Sequence, residues 1–296
     1  TCMANFVSVI TVKLVKMKQN ILVIGGTGKT GRRVVKGLKK SGHKVTVASR
    51  KGFPAFDWND SASYAKVLAG MDRAYITYYP DLAVPGAKEA IRALTSAAVE
   101  AGLEKVVLLS GKGEQEAEAS ERIVASSGLN YTLVRASWFN QNFSESFLLE
   151  PIQAGVVALP MSEALIPFVD AEDIAEVVVK VLLDDSYNGR IITVTGPRKL
   201  TFEQATSEIA EGAGREIRFQ PISLQENKEA MQQAGLPDDY VWLINYLFKE
   251  VLGNPENQEI SQDIKQVLGR EATDFSEYVR KTAATGVWGQ SIVQSL

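Results

Sequence analysis

Short apolar runs and amphipathic segments alternate along the chain from residue 20 to about residue 195. The apolar runs predict strands at 21–24, 44–49, 54–57, 73–78, 105–110 and 131–135. The amphipathic segments, in which apolar positions recur three and four residues apart, predict helices at 29–40, 61–69, 84–102, 114–127 and 171–183. Alternation of this kind is typical of a parallel sheet with helices packed on its faces.

The pattern changes after about residue 140. An apolar-rich segment from Phe143 to Leu149 predicts a helix that ends before Pro151. Short strands are predicted near 155–159, 166–169 and 190–194. From Thr201 the chain is mostly helical with polar linkers, and Thr201-Phe-Glu-Gln204 is typical of a helix capping box. A second, smaller lobe is therefore expected.

Residues 20–31, Asn-Ile-Leu-Val-Ile-Gly-Gly-Thr-Gly-Lys-Thr-Gly, carry the strongest chemical signal. Gly25 allows a tight turn out of the strand, Gly28 lets a pyrophosphate approach the backbone, and Gly31 lets the next helix pack close to the sheet. The helix N-terminus attracts phosphate through its free N–H groups and dipole. The predicted contacts in this turn are Gly25, Thr27, Gly28, Lys29, Thr30 and Gly31. The alternative is a strand–helix turn without a ligand.

The end of the second strand indicates which dinucleotide is bound. NAD-binding folds place an acidic residue there for the ribose hydroxyl groups, but this strand runs into Ser49-Arg50-Lys51. Arg50 would hold a 2′-phosphate bidentately and Ser49 would donate a hydrogen bond. Arg32 could add positive charge. NADP(H) is therefore the expected cofactor, unless Arg50 is only a solvated loop residue.

These observations predict an α/β protein with a Rossmann-type, doubly wound parallel sheet and a smaller, mainly helical C-terminal substrate lobe. We expect an N-terminal extension at 1–16, an NADP-binding Rossmann domain at 17–140, and a mainly substrate-side lobe at 141–296 with segments that return to the main sheet. Only a few residues separate Arg50 from the predicted strand at 54–57, so the crossover that joins these two strands is expected to be a loop. Phe56 is expected in the sheet core, and Asp57 and Trp58 are expected near the adenine.

Composition excludes several kinds of site. The net charge of −3 gives no reason to expect a nucleic acid or an anionic membrane as partner. The single cysteine, Cys2, and the single histidine, His43, argue against a disulfide, a metal site and a Ser-His-Asp triad. His43 is expected in a solvated turn. We expect a cytoplasmic protein that acts on a small molecule, and a homodimer is compatible with the sequence.

The common general acid of short-chain dehydrogenases, Tyr-x-x-x-Lys, is absent, because no tyrosine in the sequence is followed four positions later by lysine. The segment 114–122 carries several carboxylates instead and is interpreted as a solvated helix face. Side chains at the carboxyl ends of parallel strands remain as candidates to line a pocket. Among them Lys112 is the basic group that could donate a proton.

The chain resembles the NmrA-like family of atypical short-chain dehydrogenase/reductases over about residues 18–290. The resemblance rests on five motifs in order: Gly25-Gly-Thr-Gly-Lys-Thr-Gly31, Leu108-Leu-Ser-Gly111, Tyr131-Thr-Leu-Val-Arg135, Trp138-Phe-Asn-Gln-Asn-Phe143 and Phe168-Val-Asp-Ala-Glu-Asp-Ile-Ala175. It implies that Tyr78, Tyr79, Pro80 and Ser110 lie along the cofactor. It also implies that Trp138, Asn140 and Phe143 reach the nicotinamide and the substrate. Ser110 and Lys112, which end the strand at 105–110, are the catalytic candidates, and a packing or loop role is the alternative for each of these residues.

The family resemblance leaves two functions open. Some members reduce quinones or triphenylmethane dyes, whereas others bind NADP and act as redox sensors without turnover. An open pocket between Tyr79, Ser110 and Trp138 would favour a reductase. Asp170 and Asp173 are interpreted as the start of a helix rather than as an acid–base pair. The segment from Trp242 to Phe248 is interpreted as core that could also cover the pocket or contact another subunit.

Overall fold

Six parallel strands form the main sheet of the computed structural model, which describes residues 18–289. The strands of the protein are Asn20–Ile24 (β1), Lys44–Ala48 (β2), Arg73–Ile76 (β3), Lys105–Gly111 (β4), Asn130–Ala136 (β5), Val156–Leu159 (β6), Arg190–Val194 (β7) and Arg218–Pro221 (β8). The main sheet has the order β2-β1-β3-β4-β5-β7, and β6 pairs with β8 in a separate parallel pair. The predicted parallel α/β fold is confirmed.

Helices connect these strands. Their bounds are Lys29–Lys40 (α1), Tyr64–Leu68 (α2), Ala87–Glu100 (α3), Glu118–Ala125 (α4), Asn142–Glu145 (α5), Leu149–Ala154 (α6), Ala171–Leu183 (α7), Phe202–Ala213 (α8), Leu224–Gln233 (α9), Asp238–Tyr246 (α10), Asp263–Leu268 (α11) and Phe275–Ala283 (α12). A π-helical segment, Leu247–Leu252, continues α10. The bounds of α1 and α7 match the predicted ones.

Both faces of the main sheet are buried. Alternate residues of β1 point to opposite faces, so Ile21 and Val23 pack against α1, α7 and α11 while Leu22 and Ile24 pack against α2, α3 and α4. All four side chains are fully buried, which explains why the strand is a continuous apolar run. A third core lies in the smaller lobe around Phe143, with β6, β8, α8 and α12.

Polar contacts fix the helix ends of the smaller lobe and its return to the sheet. Thr201 and Gln204 form the predicted capping box of α8. The carboxylate of Asp170 accepts the Glu172 N–H and caps α7. The buried carboxylate of Asp173 accepts the backbone N–H of Thr273 at 2.6 Å and an N–H of Arg270 at 2.8 Å. Asp170 and Asp173 thus have structural partners, as the sequence indicated.

Several local predictions are wrong. Residues 54–57 are not a strand, because the segment pairs only through one isolated bridge from Asp57 to Asp60, and the crossover to β3 contains α2. Phe56 is nevertheless buried in the core on one face of the sheet, as predicted, where it joins Leu22 and Ile24 and stacks on Tyr64 of α2. Residues 166–169 form only isolated bridges. The helix predicted from Phe143 is broken at Ser146, whose backbone is extended, and Pro151 lies inside α6.

His43 is not a solvated residue. Its side chain is 8% exposed, and its Nδ1 accepts the backbone N–H of Gln19 at 3.3 Å. It therefore helps to fix the chain entering β1. The expected extension at 1–16 and Cys2 lie outside the described residues. Within residues 18–289 no helix has the length and apolarity needed to span a bilayer.

Candidate functional site

The turn between β1 and α1 is closed tightly by glycines. Gly25 has φ of +73°, a left-handed conformation that favours glycine. The N–H of Gly28 donates to the carbonyl oxygen of Gly25 at 2.9 Å. A Cβ atom on Gly31 would overlap that same carbonyl group, so glycine lets α1 begin directly against the turn. The free N–H groups and positive dipole end of α1 consequently face the carboxyl edge of the sheet.

A cavity of about 700 Å³ opens at this edge of the sheet. The predicted site residues that line it are Gly25, Thr27, Gly28, Lys29, Thr30, Ser49, Arg50, Tyr78, Tyr79, Pro80, Ser110, Lys112 and Trp138. They come from the ends of β1, β2, β3, β4 and β5, where open α/β sheets bind ligands. Gly31 lies beneath the turn. Their individual roles stay predictions, but one continuous space brings them together.

Lys29 and Arg50 bring positive charge to the cavity. The ammonium group of Lys29 donates to Oδ1 of Asn142 at 2.8 Å, and burial lowers the pKa of Lys29 to about 8. Arg50 is exposed at the rim and forms no ion pair with any other described residue. It is therefore available to an anionic ligand. Arg32 was expected to add positive charge to the phosphate site, but it does not line the cavity and forms a salt bridge with Glu145 instead.

An aromatic cluster borders the cavity beside Arg50. The ring of Trp58 lies 4.6 Å from that of Tyr78 and 4.9 Å from that of Phe56. The hydroxyl group of Tyr64 donates to the Trp58 carbonyl oxygen at 2.8 Å, and burial raises the pKa of Tyr64 to about 12. These contacts hold Asp57 and Trp58 at the wall of the cavity, on the side where the sequence placed an adenine.

The opposite side of the cavity is covered by the smaller lobe. Trp138 follows β5 and packs against Phe248 with 5.2 Å between ring centres. Phe139 and Asn142 after β5 line the cavity, as do Leu243, Ile244 and Leu247 of the segment that was expected to cover it. The lining side chains that the sequence did not single out are Ser146, Phe147, Tyr240 and Val251. The segment from Trp242 to Phe248 thus supplies both core and cover, since Phe248 is fully buried while three of its neighbours line the cavity.

Asn140 and Phe143 are not at the cavity, contrary to expectation. Phe143 is fully buried in the core of the smaller lobe, 5.4 Å from Phe168 between ring centres. Asn140 is also fully buried, and its backbone N–H donates to the carbonyl oxygen of Val169 at 2.8 Å. The chain turns after Trp138, so the side chains of Phe139 and Asn142 line the cavity in their place.

Ser110 and Lys112 follow one another along the wall at the end of β4. The hydroxyl group of Ser110 is buried and has no hydrogen-bond partner among the described residues. The ammonium group of Lys112 donates to the carbonyl oxygen of Asn257, and burial lowers the pKa of Lys112. Lys112 therefore links the end of β4 to the smaller lobe, while Ser110 keeps a free donor at the cavity.

The carboxylates of 114–122 are not all solvated, so that prediction is wrong for two of them. Glu121 is 3% exposed and forms a salt bridge with Arg135. Glu114 lines the cavity together with Asp81, which the sequence analysis also did not identify. The sequence feature that accompanies this position of Glu114 is Gly111, because a Cβ atom on residue 111 would overlap the Glu114 carboxyl group. Glu116 is exposed, as expected.

Two curated proteins align with nearly the whole chain. An uncharacterized oxidoreductase of Bacillus subtilis is 30% identical over 292 residues, which cover 92% of this chain and 99% of that protein. An NAD(P)H azoreductase of Xenophilus azovorans is 28% identical over 290 residues, which cover 89% of this chain and 98% of the azoreductase.

Solved structures share the fold, and a family model identifies the chain. An NADPH-dependent quinone oxidoreductase from Escherichia coli, solved with NADPH, has a TM-score of 0.73 at 21% identity and covers 88% of this chain and 99% of its own. The negative transcriptional regulator NmrA, solved with NAD, has a TM-score of 0.69 at 18% identity, and the alignment covers 91% of this chain and 98% of NmrA. The NmrA-like family model matches residues 17–279, and the chain therefore belongs to the NmrA-like family.

Proposed function

We propose that the protein is an NADPH-dependent reductase that transfers hydride to a small, flat, electron-poor substrate such as a quinone. The observation that carries this proposal is one continuous cavity, which runs from the glycine turn and Arg50 to a space bounded by Tyr79, Ser110 and Trp138. A dinucleotide and a second flat molecule can share a cavity of this kind. The azoreductase and the quinone oxidoreductase, named above, support the same class of reaction.

The cavity wall fits NADP(H). Gly28 and the N-terminus of α1 offer backbone N–H groups to the pyrophosphate. Arg50, next to Ser49 at the end of β2, offers a guanidinium group to the 2′-phosphate. No acidic residue ends β2, so the feature that selects NAD(H) in related folds is missing there.

The protein's part in the reaction is mainly to position the two rings and to exclude water. NADPH, when bound, supplies the hydride. Trp138 offers an aromatic face to a flat substrate. Leu243, Ile244 and Leu247 cover the cavity with apolar surface and keep water from the reacting atoms. Holding the substrate against the nicotinamide contributes to the rate without any covalent step by the protein.

The experiment is NADPH oxidation by the purified protein with a panel of quinones and cationic dyes, and with NADH in parallel. Turnover that prefers NADPH and falls when Trp138 is replaced by alanine supports a reductase. Arg50→Asp should weaken the preference for NADPH, and Lys51→Asp is its control, because Lys51 is exposed beside Arg50 but does not line the cavity. Absence of oxidation with every acceptor would overturn the proposal.

A second candidate is an NADP(H)-binding regulatory protein without turnover. It is favoured by the absence of Tyr-x-x-x-Lys from the sequence and by the shared fold of the regulator NmrA. Tight NADP(H) binding without oxidation across the panel is the result expected for this candidate.

A further inference from the structure

Two carboxyl groups meet at the wall of the cavity between the ends of β3 and β4. Asp81 lies in the loop after β3 and Glu114 in the turn after β4, and both line the cavity. Their side chains lie within hydrogen-bonding reach of each other. Two carboxyl groups form a hydrogen bond only if one of them carries a proton. A hydrogen bond between Asp81 and Glu114 would therefore place one proton and one negative charge at the cavity.

The hydrogen-bond partners favour Glu114 as the residue that carries the proton. Burial raises the pKa of Asp81, but Oδ1 of Asp81 accepts the backbone N–H of Ala83 at 2.8 Å, which stabilises its ionised form. Oε2 of Glu114 is buried, and no N–H or O–H group of residues 18–289 donates to it. A buried carboxyl oxygen without a donor is stable when it is itself protonated. These contacts favour Glu114 as the acid and Asp81 as the acceptor.

The electrostatic surroundings agree with this assignment. Burial, followed by the neighbouring Asp81 carboxylate, raises the pKa of Glu114 well above its ordinary value, and Glu121 on α4 acts in the same direction. From α10, Tyr246 faces the pair, and burial raises the pKa of Tyr246 so that it stays neutral. Lys112 stands on the same turn but donates to a backbone carbonyl oxygen of the smaller lobe.

The turn that holds Glu114 is fixed on both sides. Gly111 leaves the space that the Glu114 carboxyl group fills, and Gly113, with φ of +79°, leaves the space for the Asn257 side chain. The N–H of Ala117 donates to the carbonyl oxygen of Glu114 at 3.1 Å. The unpartnered hydroxyl group of Ser110, only 6% exposed, lines the same wall and offers a donor to a bound molecule.

We propose that the Asp81–Glu114 pair supplies the proton for reduction at this site, with Glu114 as the general acid, an inference that rests on the proposed function. Hydride from C4 of NADPH adds to one carbonyl oxygen of the quinone, and the displaced π electrons leave the other oxygen negatively charged. That oxygen takes the proton from Glu114, which gives the hydroquinone, NADP⁺ and an ionised pair. Proton uptake from water then restores the acid. A phenolate-like oxygen accepts the proton readily, because a phenol has a pKa of about 10.

The proposal is tested by comparing two acceptors that differ in their need for a proton. Menadione requires hydride and a proton. The triarylmethane cation crystal violet requires hydride alone, since hydride neutralises the carbocation. Glu114→Gln keeps the shape of the side chain and removes the acid. Glu116→Gln is the control, because Glu116 is exposed in the same segment and does not line the cavity.

We expect Glu114→Gln to lower kcat for menadione about 100-fold, the usual contribution of a general acid, and to change kcat for crystal violet less than about 3-fold. In the wild-type protein kcat for menadione should fall as the pH rises through the pKa of the pair, and this dependence should vanish in Glu114→Gln. Asp81→Asn removes the neighbouring charge, so the fall should move to lower pH.

Each other outcome overturns the inference in a distinct way. Equal loss with both acceptors would mean that Glu114 supports only the fold or the cofactor, and a selective loss with crystal violet would mean that the pair binds cations. Unchanged menadione kinetics would show that the proton comes from elsewhere while the proposed function stands. Failure of the wild-type protein to oxidise NADPH with either acceptor would overturn the proposed function and this role with it.

Discussion

Replacing Gly28 with alanine should weaken NADP(H) binding and leave the fold intact. Gly28 has φ of −77°, which suits any L-residue. The new Cβ atom would lie 3.2 Å from the Gly25 carbonyl oxygen, a close contact that a small backbone shift relieves. Its methyl group would stand at the cavity wall beside the first N–H groups of α1, where the pyrophosphate is proposed to bind.

The magnitude follows from the hydrogen bonds that the methyl group would block. A hydrogen bond to a charged group contributes about 1.5–3 kcal/mol. Losing one such bond raises the dissociation constant for NADPH about 10- to 150-fold. The free energy of unfolding should change by less than about 1 kcal/mol, as is usual for a substitution that neither opens a cavity nor strains the backbone.

Gly31→Ala is the matched variant with the opposite expectation for stability. Its Cβ atom would overlap backbone atoms of Gly25 and Gly26, which cannot rotate away as a side chain can. Overpacking of this kind costs about 1–3 kcal/mol. Thermal unfolding and NADPH titration of both variants give the two quantities. Wild-type affinity in Gly28→Ala would refute the proposed phosphate site, and wild-type stability in Gly31→Ala would refute the packing argument.

Three further predictions concern other parts of the structure. Arg50→Asp should lower the preference for NADPH over NADH at least about 10-fold, since it removes a charge-assisted bond to the 2′-phosphate; steady-state kinetics with both cofactors measure this, and an unchanged ratio would contradict the NADP(H) assignment. Arg270→Met should cost about 3 kcal/mol, because it leaves the buried Asp173 carboxylate without its cationic partner, and calorimetry should show a lower Tm with kcat unchanged below that temperature. Hydrogen bonds from Arg198 lower the pKa of Asp274 to about 2, so this pair stabilises the fold above about pH 4 and loses its effect as the pH falls towards 2; the stability difference between wild type and Asp274→Asn should shrink over that range, and a constant difference would contradict the assignment.

The parts of the fold that sequence patterns predicted are those specified by local interactions. The run from Ile21 to Ile24 is apolar because both faces of the sheet are covered, and the glycines that follow fix the start of α1. The cap at Thr201 needs only residues within one turn. Each of these features depends on neighbours in the sequence, so the pattern is sufficient to predict it.

The incorrect predictions concern features that distant contacts decide. Residues 54–57 have a strand-like composition, but they pair with no strand of the sheet, and Phe56 stacks on Tyr64. Phe143 points into the smaller lobe because Phe168 and Phe275 form a pocket there. Acidic residues in a row suggest solvation, and the contact between Glu114 and Asp81, 33 positions apart in the sequence, becomes visible only in the folded structure.

The most direct test of the account is the stereochemistry of hydride transfer. NADPH carrying deuterium at one or the other of the two C4 positions is oxidised by the wild-type protein with the best acceptor of the panel, and the mass of the NADP⁺ formed is measured. A cavity that holds the nicotinamide with one face towards Ser110 and Trp138 predicts that one isomer loses its deuterium completely and the other retains it. Equal loss from both isomers, or no oxidation of either, would contradict the account.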